Sequence, residues 1–344
     1  MQIPIENIYY LLCYAWNKLD EKDRVNVSID DKTELLDLFA KILINASKTL
    51  LKRGIDKNYI DITEEIPGVK GKILLSDTLK RHLLFKQRVI CAFDDFSANI
   101  VSNRILVTTI YLLTRTKGLD KGLKNELVSL LKMFSGIQQI EIKNSLFKQV
   151  KLNRNNHFYG FIMNVCQIIY ENTLPSEEQG KFKFSDFTRD ENKMNQLFES
   201  FIRNFYKIEQ RKFSTVKREL IKWNFDNTDS KHYQYLQQMQ TDITLENDTE
   251  KIIIDAKFYR ETMTINHEKE KIKSANLYQM FSYLLNQENE HPKTQYATGI
   301  LLYPTISTDY NFQYQYKNHN IQIRTINLNT NWKNISSALI QLLN

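Results

Sequence analysis

Two short stretches of this chain could do chemistry together. Thr241-Asp242-Ile243 places an acid at the start of an apolar segment, and thirteen residues after that acid comes Asp255-Ala256-Lys257, closing the run Ile252-Ile253-Ile254. Strand side chains alternate with period two, so Asp255 and Lys257 share one face and Ala256 takes the other. A strand over Gln240 to Leu245, turning through Glu246-Asn247-Asp248-Thr249-Glu250, brings Asp242 alongside Asp255. Two converging carboxylates can hold one or two Mg²⁺ ions through oxygen ligands, as suits a hard cation that keeps water and meets phosphate. Such an ion polarises a phosphoryl group and stabilises a leaving oxygen. Lys257 would orient or deprotonate the attacking water and offset the charge that develops at phosphorus. The implied reaction is phosphodiester hydrolysis. A D-x-K triplet also arises by chance at strand ends; here the apolar strand before it, the earlier acid at hairpin distance and the polar helix pattern after it all favour chemistry.

The elements that must position these residues follow from periodicity. Helices are expected near Ile5 to Leu19, Asp31 to Leu51, Asn99 to Thr114, Leu119 to Phe134, Tyr159 to Glu171, Asn192 to Gln210, Glu268 to Gln287 and Trp332 to Leu343. Short strands are expected at Tyr59 to Glu65, Lys72 to Leu75 and Gln87 to Phe93, punctuated by Pro67-Gly68 and Lys70-Gly71, and again at Val216 to Trp223, Gln295 to Tyr303 and Ile321 to Leu328. The polar stretch Leu174 to Lys181 reads as a linker, dividing a domain of residues 1–175 from one of residues 180–344. The fold class is α/β (α+β): a mixed helical and small-β first half, then a mixed central sheet flanked by helices.

Composition sets the outer bounds. At 344 residues the chain exceeds one ordinary core, and with 42% hydrophobic and 25% charged residues it reads as globular. Lys and Arg outnumber Asp and Glu by 47 to 40, a +7 balance that favours a polyanionic partner. Cys13, Cys91 and Cys166 stand singly, as core residues of a reducing compartment do. No apolar run suits a bilayer or a signal peptide, so a cytoplasmic protein without membrane contact is expected. The histidines include no H-E-x-x-H, and no G-x-x-x-x-G-K-[ST] is present, which excludes the common zinc hydrolase helix and a P-loop of the chain's own.

Several segments resemble one family along the whole chain. The opening Ile3-Pro4-Ile5-Glu6-Asn7-Ile8-Tyr9-Tyr10-Leu11-Leu12-Cys13-Tyr14-Ala15-Trp16, the segment Glu65-Ile66-Pro67-Gly68-Val69-Lys70-Gly71-Lys72-Ile73, the pair Met239-Gln240-Thr241-Asp242-Ile243-Thr244 and Ile254-Asp255-Ala256-Lys257-Phe258-Tyr259, and Asn276-Leu277-Tyr278-Gln279-Met280 are similar to the McrC family, nuclease subunits of McrBC modification-dependent (5-methylcytosine) restriction systems. The resemblance implies a PD-(D/E)xK-type restriction-endonuclease-like domain in the second half, with Thr241 where the motif has proline. It implies catalytic Asp242, Asp255 and Lys257, Mg²⁺ as cofactor, and double-stranded DNA with modified cytosine as substrate. It also implies a partner, an McrB-like AAA+ GTPase ring that binds GTP itself and is stimulated by the first domain, and it is compatible with McrC–McrC dimerisation in the full complex.

Further residues take roles within that frame. Glu199 stands where nucleases of this fold often carry a third metal-shell acid; its alternative is an exposed helix charge. Gln279 and Tyr283 lie four apart on one helix face, able to touch substrate phosphate or fix the lysine, or to form a buried polar pair capping the sheet. The run His267 to Lys273 reads as a solvated helix start, or as lysines that meet backbone phosphates. Lys70, Lys72 and Arg104 are the basic candidates for GTPase stimulation, against a default of surface solubility. Two other readings stay open: a stand-alone repair nuclease of the same fold, and a non-catalytic adaptor or DNA clamp of a GTPase ring.

Overall fold

The computed structural model describes residues 3–17, 34–154, 156–225, 230–259, 264–266, 269–306 and 309–343. These form two compact units, one of residues 34–185 and the other of the opening residues together with everything from 186 onward. Helix α1 (Ile5–Ala15) therefore belongs with the second half of the sequence, although a linear reading groups it with the first. Among the described residues no helix is long and apolar enough to cross a membrane.

In the unit of residues 34–185, helix α2 (Leu35–Arg53) buries Leu38, Phe39, Ile42, Leu43 and Ala46 at spacings of three and four, the stripe a core-facing helix needs. A small sheet follows: β1 (Asn58–Ile66), β2 (Lys72–Ile73), the short helix α3 (Leu75–Lys80) and β3 (Val89–Ser97), in the order β1-β3-β2, all antiparallel. Gly71 turns the chain into β2 at φ +68°, and a Cβ there would stand 2.6 Å from the Ala92 carbonyl oxygen, so the close approach to β3 admits only glycine. Helices α4 (Val101–Arg115), α5 (Lys121–Met133), α6 (Asn144–Gln149) and α7 (Phe158–Glu171) complete the helical part, with Ile105, Leu106, Ile110, Phe161, Ile162 and Val165 fully buried. The stretch expected to be a linker is instead a hairpin of this unit: β4 (Thr173–Pro175) pairs antiparallel with β5 (Phe182–Phe184), and the division falls at 185. Its polar turn is tied down by Ser176, whose amide donates to the Lys181 carbonyl, and by Glu178, which pairs with both Lys117 and Lys181.

The other unit is built on a six-stranded mixed sheet. Helix α8 (Glu191–Glu209) opens on Asp190, whose carboxylate accepts from the amides of Asn192 and Lys193. Its buried face, Met194, Leu197, Phe198, Phe201, Ile202 and Phe205, repeats at three and four. Tyr14 of α1 meets Phe201 and Phe205 there. Strands β6 (Thr215–Lys217), β9 (Ile243–Glu246), β10 (Lys251–Ala256), β13 (Thr298–Thr305), β14 (Asn311–Tyr316) and β15 (His319–Asn327) run in the order β14-β15-β13-β10-β9-β6. The two central pairs, β10/β13 and β13/β15, are parallel and the outer ones antiparallel. Two minor antiparallel pairs are separate from this sheet, β7 (Leu220–Ile221) with β8 (Met239–Gln240) and β11 (Thr264–Asn266) with β12 (Lys269–Lys271).

Helix α9 (Ser274–Asn286) lies so close on β13 that a Cβ at Gly299 would fall 2.6 Å from the Met280 sulfur. The helix expected from Glu268 thus starts only at Ser274. Residues 269–271 are strand, while His267 and Glu268 lie outside the described residues. Helix α10 (Trp332–Gln341) closes the chain, its Trp332 ring stacked on Tyr10 of α1 at 4.6 Å.

Candidate active site

Every residue of β10 is buried, so its apolar run is the centre of the sheet and its last acid arrives in a dry place. The turn at Asn247 to Glu250 closes the β9/β10 hairpin, Asn247 Oδ1 accepting from the amides of Thr249 and Glu250. The register pairs Ile254 with Ile243. One step further along, Asp255 faces Asp242. Asp242 does not lie within a continuous strand, as the sequence suggests, but in a bend between β8 and β9. Thr241 pins that bend: its amide donates to the Glu219 carbonyl at 2.9 Å, and its hydroxyl accepts from the Glu219 amide at 3.0 Å and meets the Thr244 hydroxyl at 2.9 Å. Proline at this position would lack the donor, so threonine replaces a ring constraint with hydrogen bonds.

Asp242 Oδ2 accepts from the Ala256 amide at 3.1 Å. Lys257 stands over both acids, with Nζ 2.9 Å from Asp255 Oδ1 and 3.6 Å from Asp242 Oδ2. Asp255 is fully buried, and neither carboxylate oxygen accepts a well-directed hydrogen bond from the described residues; its nearest compensation is the Lys257 charge. Burial accordingly pushes the Asp255 carboxyl up to about 7, with the Asp242 charge adding to the rise and Lys257 opposing it. For Lys257, burial pulls the ammonium down, but the two carboxylates more than reverse this and hold it above its ordinary value. Without a metal on the acids, Lys257 is thus a charge held against both of them.

Glu199 reaches the same site from α8. It is half-buried and accepts from the Asn195 amide group, and its carboxyl is raised by burial first and then by Asp242. Among the described residues no three His, Cys, Asp or Glu side chains form a ready metal cluster, so Glu199 borders the acid pair rather than completing a triad with it. The pair itself fits a hard cation. Its donors are all oxygen, and the Asp255 oxygens are buried and underused.

Gln279 and Tyr283 do share a face of α9, and they bind each other: Gln279 Nε2 donates to the Tyr283 hydroxyl, which donates to the Gln240 carbonyl, both at 2.7 Å. They fasten β8 two residues before Asp242, and burial, then the Asp255 charge, raises the Tyr283 hydroxyl to about 12. Asn195 escaped the sequence reading. Its Oδ1 accepts from the Phe258 amide at 2.7 Å, tying α8 to the residue after Lys257. Its signal was a polar stripe, Asn195, Glu199 and Arg203, at intervals of four beside the apolar face. The remaining candidates belong to the other unit. Lys70 sits 3.9 Å from the Phe93 ring centre and 3.8 Å from Asp95, Lys72 is exposed on β2, and Arg104 on α4 has a buried Nε with no hydrogen-bond partner among the described residues.

Residues 6–304 match the family described as McrBC 5-methylcytosine restriction system component. The chain is 30% identical over 340 residues to the Type IV methyl-directed restriction enzyme EcoKMcrBC of Escherichia coli strain K12, covering 99% of this chain and 97% of that protein. Its fold is similar, at TM-score 0.55 and 17% identity, to a chain in the refined half-complex from the tetradecameric assembly of Thermococcus gammatolerans McrB AAA+ hexamers with bound McrC, over 98% of this chain and 76% of that one.

Proposed function

The chain belongs to the family of McrBC 5-methylcytosine restriction system components, and within it we propose that this protein is the nuclease subunit, an endonuclease of PD-(D/E)xK type that cuts DNA containing modified cytosine. The observation that carries this reading is the convergence of Asp242, Asp255 and Lys257 at the dry end of β10. Asp242 and Asp255 would hold Mg²⁺, with Glu199 alongside. When bound, such a cation supplies Lewis-acid activation of the scissile phosphate and of a water. Lys257 keeps its proton, orients the attacking water and offsets the charge gathered on the phosphoryl oxygens. Asn195, Tyr283 and Gln279 fix the backbone on either side of the acids, so little reorganisation accompanies the reaction. The carboxylate pair and the retained lysine favour an enzyme over a non-catalytic clamp.

The half-complex from Thermococcus gammatolerans joins McrB AAA+ hexamers to McrC, and we extend that partnership to this chain. An McrB-like ring would bind the GTP, and the unit of residues 34–185 would dock on it and raise its turnover. The chain itself has no phosphate-binding loop and no recognisable base-reading module, so cleavage and choice of site would follow the partner. The test is cleavage of modified plasmid by the reconstituted complex with GTP and Mg²⁺, against the same complex carrying Asp255→Asn. Equal cleavage by both refutes the assignment.

A further inference from the structure

Two arginines stand near the acid pair, and the charges of Glu199 and Asp242 act on Arg203 without an ion pair among the described residues. Arg203, half-buried on α8, donates from Nη1 to the Asp242 carbonyl at 3.5 Å and from Nη2 to the Ser200 hydroxyl at 3.4 Å, both at the long limit of hydrogen bonding. A guanidinium has five N–H donors, so most of its capacity is left over. Arg218 is exposed between β6 and β7, and the next residue, Glu219, is the one bonded twice to Thr241. The bend carrying Asp242 is therefore bonded both to Arg203 and to the residue next to Arg218. Among the described residues no carboxylate comes within ion-pair distance of either guanidinium.

The charges sharpen this. Burial first, then the nearby Arg218, lowers the Arg203 guanidinium, and Arg218 also acts on Glu199. Three acids, Asp242, Asp255 and Glu199, thus stand with three cations, Lys257, Arg203 and Arg218. With a divalent cation on the acids the balance turns positive, and planar guanidinium groups suit phosphate oxygens.

We propose that Arg203 and Arg218 form a phosphate clamp that grips the non-bridging oxygens of a DNA backbone phosphate next to the bond to be cut. The clamp rests on the nuclease reading above and adds its substrate contact. Because backbone phosphates carry no sequence, it serves methylated and unmethylated DNA alike.

The test measures binding of the full chain to two fluorescein-labelled duplexes of one sequence, one methylated at cytosine and one not, by anisotropy, with Ca²⁺ in place of Mg²⁺, over a series of KCl concentrations. Arg218→Ala, whose site is exposed and places no burden on folding, should weaken binding about tenfold and lower the slope of log affinity against log salt by up to about 0.9, equally for both duplexes. Arg203→Gln should do the same, and Arg203→Lys should recover part of the affinity. Ca²⁺ binding without DNA, followed by calorimetry, should persist in all three. Wild-type affinity and slope in both Arg218→Ala and Arg203→Gln overturn the clamp. So does loss of Ca²⁺ binding in parallel with DNA binding in Arg203→Gln, because the arginine would then act by supporting Asp242. Cleavage that survives Asp255→Asn refutes the nuclease reading instead, whatever the salt slope.

Discussion

The two units use their charged residues in opposite ways. In the unit that contains the sheet of β10, Asp242 and Asp255 are withdrawn from water and crowded against Lys257, an arrangement that costs stability and persists only because several elements hold it. In the unit of residues 34–185, Lys70 and Lys72 stand on a small sheet whose side chains largely face solvent, where a charge costs little and is held by little. Buried like charges are what chemistry requires; exposed ones are what a surface needs to meet another surface.

That contrast can be broken first at the acids. Asp242→Ala, Asp255→Ala and Lys257→Ala should each reduce cleavage of modified plasmid a hundredfold or more, about 3 kcal/mol of transition-state stabilisation, while stimulation of the partner's GTPase is kept. Parallel loss of both activities in folded variants would show that the units do not divide the work. The next effect is on stability. Leu11 is fully buried in α1, so Leu11→Ala should cost about 2–5 kcal/mol, and in the full chain the loss should appear in the hydrogen-exchange protection of residues 186–344 and leave that of residues 34–185 unchanged. Equal destabilisation of both would contradict the division.

A pH dependence should follow from Asp255. Its folded carboxyl is raised to about 7, so the folded chain keeps a proton that the unfolded chain releases near about pH 4. The metal-free protein should therefore lose stability as pH rises between those values and level off above. Mg²⁺ needs the ionised carboxylate, so the rise in Tm that it produces should grow over the same interval. A metal effect that shrinks with rising pH would rule this out. The smallest effects are expected at the margins: Glu199→Gln should lower cleavage several-fold with Asp-dependent metal binding retained, and Lys72→Ala should lower GTPase stimulation alone. Stimulation that survives Lys70→Ala, Lys72→Ala and Arg104→Ala separately would remove all three from the partner site.

The convergence of Asp242, Asp255 and Lys257 was legible in sequence because its signals are local: period two places Asp255 with Lys257, and a turn of fixed length sets Asp242 opposite. Helix α8 was equally readable from its stripe of Met194, Leu197, Phe198 and Phe201. Family membership, read from the segments around Glu65 and Asp255, was borne out over residues 6–304. What local pattern does not encode is the destination of a face. Ile8, Leu11 and Leu12 announce a helix, but nothing in their spacing says that it packs on Phe201 and Trp332. The hairpin at Leu174 to Lys181 looked like a linker because its apolar residues are few and its bonds are made by backbone and charge. The role of Asn195 depends on the Phe258 amide, sixty-three residues away, which no periodicity can point to.

Asn7 gives the placement of α1 a temporal meaning. Its side-chain amide donates to the carbonyls of Leu328 and Thr330, more than three hundred residues downstream. During synthesis, the carbonyls that Asn7 binds emerge long after α1 and after the α8 rings on which Tyr14 packs, whereas residues 34–185 can complete their own contacts midway. Residues 34–185 are thus an insertion that matures early, and the unit built on the β10 sheet closes last. A chain interrupted during translation would carry a finished unit of residues 34–185 and an unfinished sheet around Asp242 and Asp255.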